Sequence, residues 1–155
     1  MTRFEPRDPH WETRIRDSFA RQPAMALIGA ALGRLAPGEV EVVLPIRHDV
    51  TQQHGFVHGG VVAMVADSAA GYAAFSLMPA DATLLSVEFK LNFLSPGHGE
   101  RLAARGRVVK PGRTLSVVEV DVAAIDADGT ETSCARMLQT LMALHGRADA
   151  PRSGA

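Results

Sequence analysis

His58-Gly-Gly-Val-Val-Ala-Met-Val-Ala-Asp67-Ser-Ala-Ala-Gly-Tyr-Ala-Ala-Phe75 decides how the rest of this chain can fold. After His58 its only charged residue is Asp67, and apolar or small residues occupy every side of the helical wheel. A helix of that composition is buried all round rather than laid on a surface. Its small residues, its central aspartate and the lack of a second such stretch point to a core helix and not to a membrane span. An isolated ionised carboxylate is expensive in such a place, so Asp67 needs a partner, water or a chemical task.

Around that stretch lies one domain's worth of chain, 155 residues, 46% hydrophobic and 21% charged,. A formal net charge of −1 offers no basic field for nucleic acid,. The single cysteine, Cys134, excludes an intrachain disulfide framework and fits a reducing compartment,. With no basic segment followed by an apolar run at the start, a cytoplasmic location is expected.

Residues 1–23 read as an N-terminal segment containing a short helix, with Asp8 as N-cap and Pro9 at the first helical position. Trp11, Ile15 and Phe19, with Ser18, share one face of it, suited to packing on the core or to covering an acyl pocket. Residues 24–145 form the main domain. Its opening runs, Met25–Ala36 and Glu39–Ile46, flank Pro37-Gly38 and are expected to pair as a hairpin. The polar loop from Arg47 to Val57 leads into the buried helix, which must stop near Met78-Pro79. Leu84–Leu94 then alternates, with Val87, Phe89, Leu91 and Phe93 on one face and Ser86, Glu88, Lys90 and Asn92 on the other. Arg101–Val109, Thr114–Ile125 and Thr132–Leu144 complete a meander turned at Pro96-Gly97, Pro111-Gly112 and Asp128-Gly129. The alternation slips at Val117-Val118, which suggests a bulge. Residues 146–155 read as a disordered tail. The fold class is α+β: an antiparallel sheet of about six strands wrapped round one long helix, whose remaining side a second copy would cover.

Gly59 and Gly60 stand where the first N–H groups of the helix have no intrahelical partner. Glycine admits a ligand there, and the helix dipole favours developing negative charge, so the pair forms a candidate oxyanion site. A tight turn would use the same residues. Asp67 lies eight residues further on, about 12 Å along the axis. A reacting carbonyl must sit within roughly 3 Å of its donors, with the attacking group about as close. One chain therefore cannot present Gly59 and Asp67 to the same carbonyl, whereas two antiparallel copies of the helix can. The stripe Gly60, Ala63, Met64, Gly71 and Ala74 is mostly small and permits that approach.

Gln52…His58-Gly59-Gly60…Asp67, the strand Ser86-Val-Glu-Phe89…Leu94-Ser-Pro96 and Pro111-Gly112-Arg113 resemble the hotdog-fold acyl-CoA thioesterases, above all the phenylacetate-degradation (PaaI-like) subgroup. The resemblance runs from about Val42 to Leu144. It implies hydrolysis of an acyl-CoA thioester, with the Gly59 N–H on the thioester carbonyl and Asp67 of the neighbouring subunit driving attack as base or nucleophile. It also implies that Gln52, or the adjacent Gln53, orients water or the carbonyl, and that Ser86 lies near the attacking water. His58 is either a participant or a structural residue at the helix start. Gly60 and Arg113 are candidates for contact with coenzyme A, which enters as part of the substrate, so no separate cofactor is expected. Arg105, Arg107 and Lys110 cluster with Arg113 around one turn and could meet its phosphates, although solvated edge strands carry the same pattern. The expected assembly is a homodimer that completes the site, with pairs of dimers forming a homotetramer; no membrane or nucleic-acid partner is expected.

Other chemistries fit less well. His54 and His58 have i, i+4 spacing, but glycines interrupt any helix between them and no third metal ligand accompanies them. No Gly-x-Ser-x-Gly elbow is present. A hotdog hydratase would pair a histidine such as His54 with Asp67, but Gly-Gly replaces the Pro-Gly of dehydratases, and Tyr72 stands where the hydratase pattern needs histidine. A non-catalytic acyl-CoA-binding module would hold Asp67 against a fixed partner with no path to a thioester. Cys134 reads as a packing residue, and Phe56, Tyr72, Phe75, Met78 and Phe93 as candidates to line an acyl pocket.

Overall fold

The computed structural model describes residues 4–150, so the first three residues and the last five of the expected tail lie outside the described residues. Six strands form a single antiparallel sheet: β1 (Ala31–Ala36), β2 (Glu39–Pro45), β3 (Ala82–Phe93), β4 (Arg101–Lys110), β5 (Leu115–Ile125) and β6 (Glu131–His145), in the order β1-β2-β4-β5-β6-β3. Helix α1 (Trp11–Ala20) and helix α2 (Pro23–Ile28) precede the sheet, and α3 (Gly59–Phe75) lies across it, touching β2, β3, β4, β5 and β6. No helix among the described residues is long and apolar enough to cross a membrane.

The sheet buries one flank of α3. Val62, Val65, Ala66, Ala69, Ala70 and Ala73 are sealed in the core, which suits small residues on a helix lying close to strands. Gly106 marks the tightest point: a Cβ there would come within 2.5 Å of the Ala69 carbonyl oxygen, so only glycine lets β4 pass under the helix,. The opposite flank is uncovered, with Gly60 and Met64 exposed and Ala63, Asp67, Ser68 and Gly71 half-buried.

Three local features differ from the sequence-based expectation. Met25–Ala36 is not one extended run: Pro23 opens a six-residue helix and Gly29, left-handed at φ 75°, ends it before β1 begins,. Helix α1 starts at Trp11 with His10 as N-cap, so Asp8 and Pro9 precede it. The Asp8 carboxylate instead accepts from the His10 N–H and pairs with Arg14 at 3.0 Å. Arg14 in turn donates to the Phe75, Met78 and Pro79 carbonyls and stacks on the Phe75 ring, fastening α1 to the end of α3. The bulge expected in β5 is in β4, where Val109 is the extra residue opposite Val117-Val118.

The third strand of the sequence holds a further bulge that changes the site. Ser86 pairs with Leu141 and Glu88 with Thr140, leaving Val87 unmatched. The extra residue flips the alternation, so Leu84 and Ser86 share the helix-facing side with Leu91, not the side with Glu88 and Lys90; Leu84 and Leu91 both pack on the core,. Beyond β6, Asp149 forms an ion pair with Arg21 at 2.8 Å and accepts from Thr83, so the expected loose tail is tied down there.

Candidate active site

Ser86 and Asp67 meet under the uncovered flank of α3. Ser86 Oγ donates to Asp67 Oδ1 at 2.6 Å. A third residue, Gln139 on β6, donates through Nε2 to the same Asp67 oxygen and to Ser86 Oγ (2.8 Å). Gln139 is wholly buried, and its Oε1 has no hydrogen-bond partner. Asp67 Oδ2 has no protein partner among the described residues, which leaves it open for chemistry. The half-buried carboxylate borders a cavity of about 350 Å³ whose lining includes Gly71, Tyr72, Phe75 and Leu84. Ser18 and Gln22 hold its far wall: both bond the Tyr72 hydroxyl (3.2 and 2.7 Å), and burial pushes that phenol above its ordinary range. Helix α1 thus packs on the core through Ile15, while Ser18 and, just after the helix, Gln22 border this cavity.

Gly59 and Gln52 meet elsewhere, in a second cavity of about 430 Å³ shared with Phe56, Phe93 and Cys134. His58 caps α3, its Nδ1 accepting from the Gly60 N–H at 2.9 Å. Val61 and Val62 donate to the His58 carbonyl, so the Gly59 N–H alone in this first turn lacks a partner among the described residues. Gly60 therefore contributes its donor to the cap rather than to a ligand. The Phe93 ring stands over Gly59, 2.9 Å from where a Cβ would sit, but is itself 60% exposed and free to move. The Gln52 side chain accepts from the His54 N–H and so folds back on its own loop, while Gln53 is exposed. Cys134 is the unmatched residue of a bulge in β6, and burial pushes its thiol up, away from a reactive thiolate,.

Arg113 joins neither cavity. It is exposed in the β4–β5 turn, where its carbonyl accepts from His145 Nε2 at 2.8 Å. Arg105 and Arg107 are already engaged on the outer face of the sheet. Arg105 is clamped by Glu41 and Glu131, which raise its pKa further, and Arg107 pairs with Glu119. Both guanidiniums already have carboxylate partners within the sheet, as charged side chains on a solvated sheet face do,. Of the aromatic and methionine candidates, Tyr72 and Phe75 line the first cavity and Phe56 and Phe93 the second, while Met78 is buried in the core.

Gln139 is the site residue that reading the sequence missed. A signal was present: Ala135, Met137, Leu141 and Ala143 form the buried side of β6, and Gln139 is the one amide in that row. A polar side chain in an apolar row needs a polar partner across the core, and Asp67 was the polar group still lacking one.

The Thioesterase superfamily model matches residues 54–130, which contain α3 and the glycine pair, and the chain belongs to that family, the hotdog fold. A thioesterase family protein from Silicibacter pomeroyi is 55% identical in its crystal structure, with a TM-score of 0.85, covering 88% of this chain and 99% of that one. A curated relative, a putative esterase of Saccharolobus solfataricus, is 33% identical over 61% of this chain and 66% of its own length, slightly under two thirds. Human acyl-coenzyme A thioesterase 13 is 30% identical over 56% of this chain and 62% of its own.

Proposed function

We propose that the protein hydrolyses acyl-CoA thioesters to the free acid and coenzyme A, at a site that two copies complete. The observation that carries this reading is the separation of the parts. The unpaired Gly59 N–H and the Asp67 carboxylate belong to one helix yet border different cavities. The Gly59 N–H of one copy receives the thioester carbonyl oxygen and stabilises the negative charge that grows on it. Asp67 of the other copy either takes a proton from the attacking water or attacks the carbonyl carbon itself, forming an anhydride that water then opens. On both routes the C–S bond breaks, the sulfur leaves with a proton as the coenzyme A thiol, and water supplies the acid's new oxygen. Ser86 lies beside the carboxylate, placed to steer that water, and Gln52 lies beside the carbonyl.

A second copy also answers what the sheet leaves open. Edge strand β3 and the residue after it expose Leu85, Val87, Phe89, Phe93 and Leu94, an apolar edge that a solitary protein would have to guard,. Pairing there, with the two α3 helices antiparallel, brings Gly59 of each towards Asp67 of the other. From the family resemblance we extend the assembly to a homotetramer and the location to the cytoplasm. Asp67 borders an open cavity, so a binding module with a sealed carboxylate is the poorer reading. The acyl group is an aryl or a short- to medium-chain one, as suits a cavity of about 350 Å³ walled by Tyr72, Phe75 and Leu84.

Thiol release measured across aryl- and alkyl-acyl-CoAs tests the reading. Wild type should turn over at least one of them, and Asp67→Asn should lose about 10²- to 10⁴-fold in kcat, the share of a positioned acid or base. No turnover of any thioester, or full activity in Asp67→Asn, would overturn it.

A further inference from the structure

We propose that Gln139 is a positioning residue for Asp67, holding one carboxylate oxygen so that the other is the one presented to the substrate. The inference rests on the hydrolase reading above and adds to it a residue that neither motif nor spacing singled out.

Hydrogen-bond chemistry fixes the orientation of the amide. Asp67 Oδ1 already accepts from Ser86 Oγ at 2.6 Å, and an oxygen in that accepting role calls for a donor from its other neighbour,. The group facing it from Gln139 must therefore be the NH₂. That NH₂ has two hydrogens and both are used, one on Asp67 Oδ1 and one on Ser86 Oγ. The result is a closed triangle of Ser86, Gln139 and Asp67 Oδ1. Asp67 sits half-buried on the uncovered helix flank beside a cavity, whereas Gln139 is anchored in a central β6 position flanked by β5 and β3. Rotation of the Asp67 side chain would break two bonds at once, so Oδ2 stays directed away from the triangle.

Burial says why an amide is there at all. Gln139 has no exposed surface, and its Oε1 is buried without a partner. A half-satisfied buried amide destabilises a fold, and an apolar side chain of the same volume would avoid the penalty. The row around it (Met137, Leu141, Ala143) is apolar, so packing alone would favour methionine or leucine. A residue that opposes stability while gripping the candidate catalytic carboxylate serves the site rather than the core.

The test is Gln139→Met, nearly isosteric and without the amide, with Gln139→Leu as the second variant. Expected are a melting temperature no lower than wild type, KM within about threefold, and kcat lower by about 10- to 100-fold, the scale of a misdirected reacting group. In single-turnover measurements with Asp67→Asn, adding Gln139→Met should cause no further fall, because the amide acts through the carboxylate. The proposal is overturned if kcat stays within twofold of wild type, if the fall is as large in the Asp67→Asn background, or if both variants fail to fold. Full activity of Asp67→Asn would instead remove the hydrolase reading, and this inference with it.

Discussion

The start and the middle of helix α3 are built on opposite principles. At the start the proposed working group is backbone: the N–H of Gly59, a residue with no side chain, has no partner among the described residues, whereas the Gly60 N–H is taken by His58. In the middle it is a side chain, Asp67, gripped by two others that reach it from different strands. A backbone donor needs no support beyond the helix that holds it, whereas a carboxylate can rotate and must be restrained. The sequence shows the same division. The donor half is written in consecutive residues, while the carboxylate half is gathered from positions 67, 86 and 139.

That contrast says where substitutions should do most harm. The largest effect is expected from Asp67→Asn, since on the proposed mechanism the middle of the helix contributes the group that reacts. Next comes Gly59→Val. Phe93 can swing aside to accept the new side chain, so the fold should survive, but the branched carbon then blocks the approach to the N–H. A loss of about 10²- to 10³-fold in kcat is expected, the share of one oxyanion donor, with a circular dichroism spectrum like that of wild type. Activity near wild type would show that the donor half lies elsewhere. The smallest effect belongs outside both halves. Arg105→Gln removes the clamp on Glu41 and Glu131, a surface network worth under about 1 kcal/mol,. Arg105 holds the Glu131 carboxyl below its usual range, so this stabilisation is complete above the ordinary glutamate pKa of about 4.3 and is lost as pH falls through the folded value,. The gap in unfolding midpoint between Arg105→Gln and wild type should therefore close in acid, with thioester turnover unchanged at pH 7. A marked loss of turnover would put the outer face of the sheet into the site.

Legibility in the sequence followed the same line between local and gathered features. The buried helix, its glycine start and the meander after it were readable because each is spelled by neighbours: composition for α3, alternation and Pro-Gly or Asp-Gly turns for the strands. Helix α2 was misread as strand because six residues are too few to show a helical period, although Pro23 and Gly29 marked its ends,. The apparent faces of β3 were inverted at Ser86 because a one-residue bulge at Val87 is invisible in an alternating pattern. Read regularly, Ser86 sides with Glu88 and Lys90; only the bulge turns it towards Asp67. The association of Gln139 with Asp67 spans 72 residues and depends on sheet register, which no local pattern encodes. The proposal of a two-copy site has a simpler source in the sequence, since helical rise alone puts Gly59 and Asp67 too far apart to serve one carbonyl within a single chain.

A mixed dimer tests the shared site most directly. Asp67→Asn and Gly59→Val carry their lesions in opposite halves, and each alone should be nearly inactive. Co-expressed with different affinity tags and purified as the mixed species, they should recover about half the turnover of a wild-type dimer. One composite site then has both parts intact and the other has neither. Activity no greater than the sum of the two inactive parents would contradict a site shared between copies.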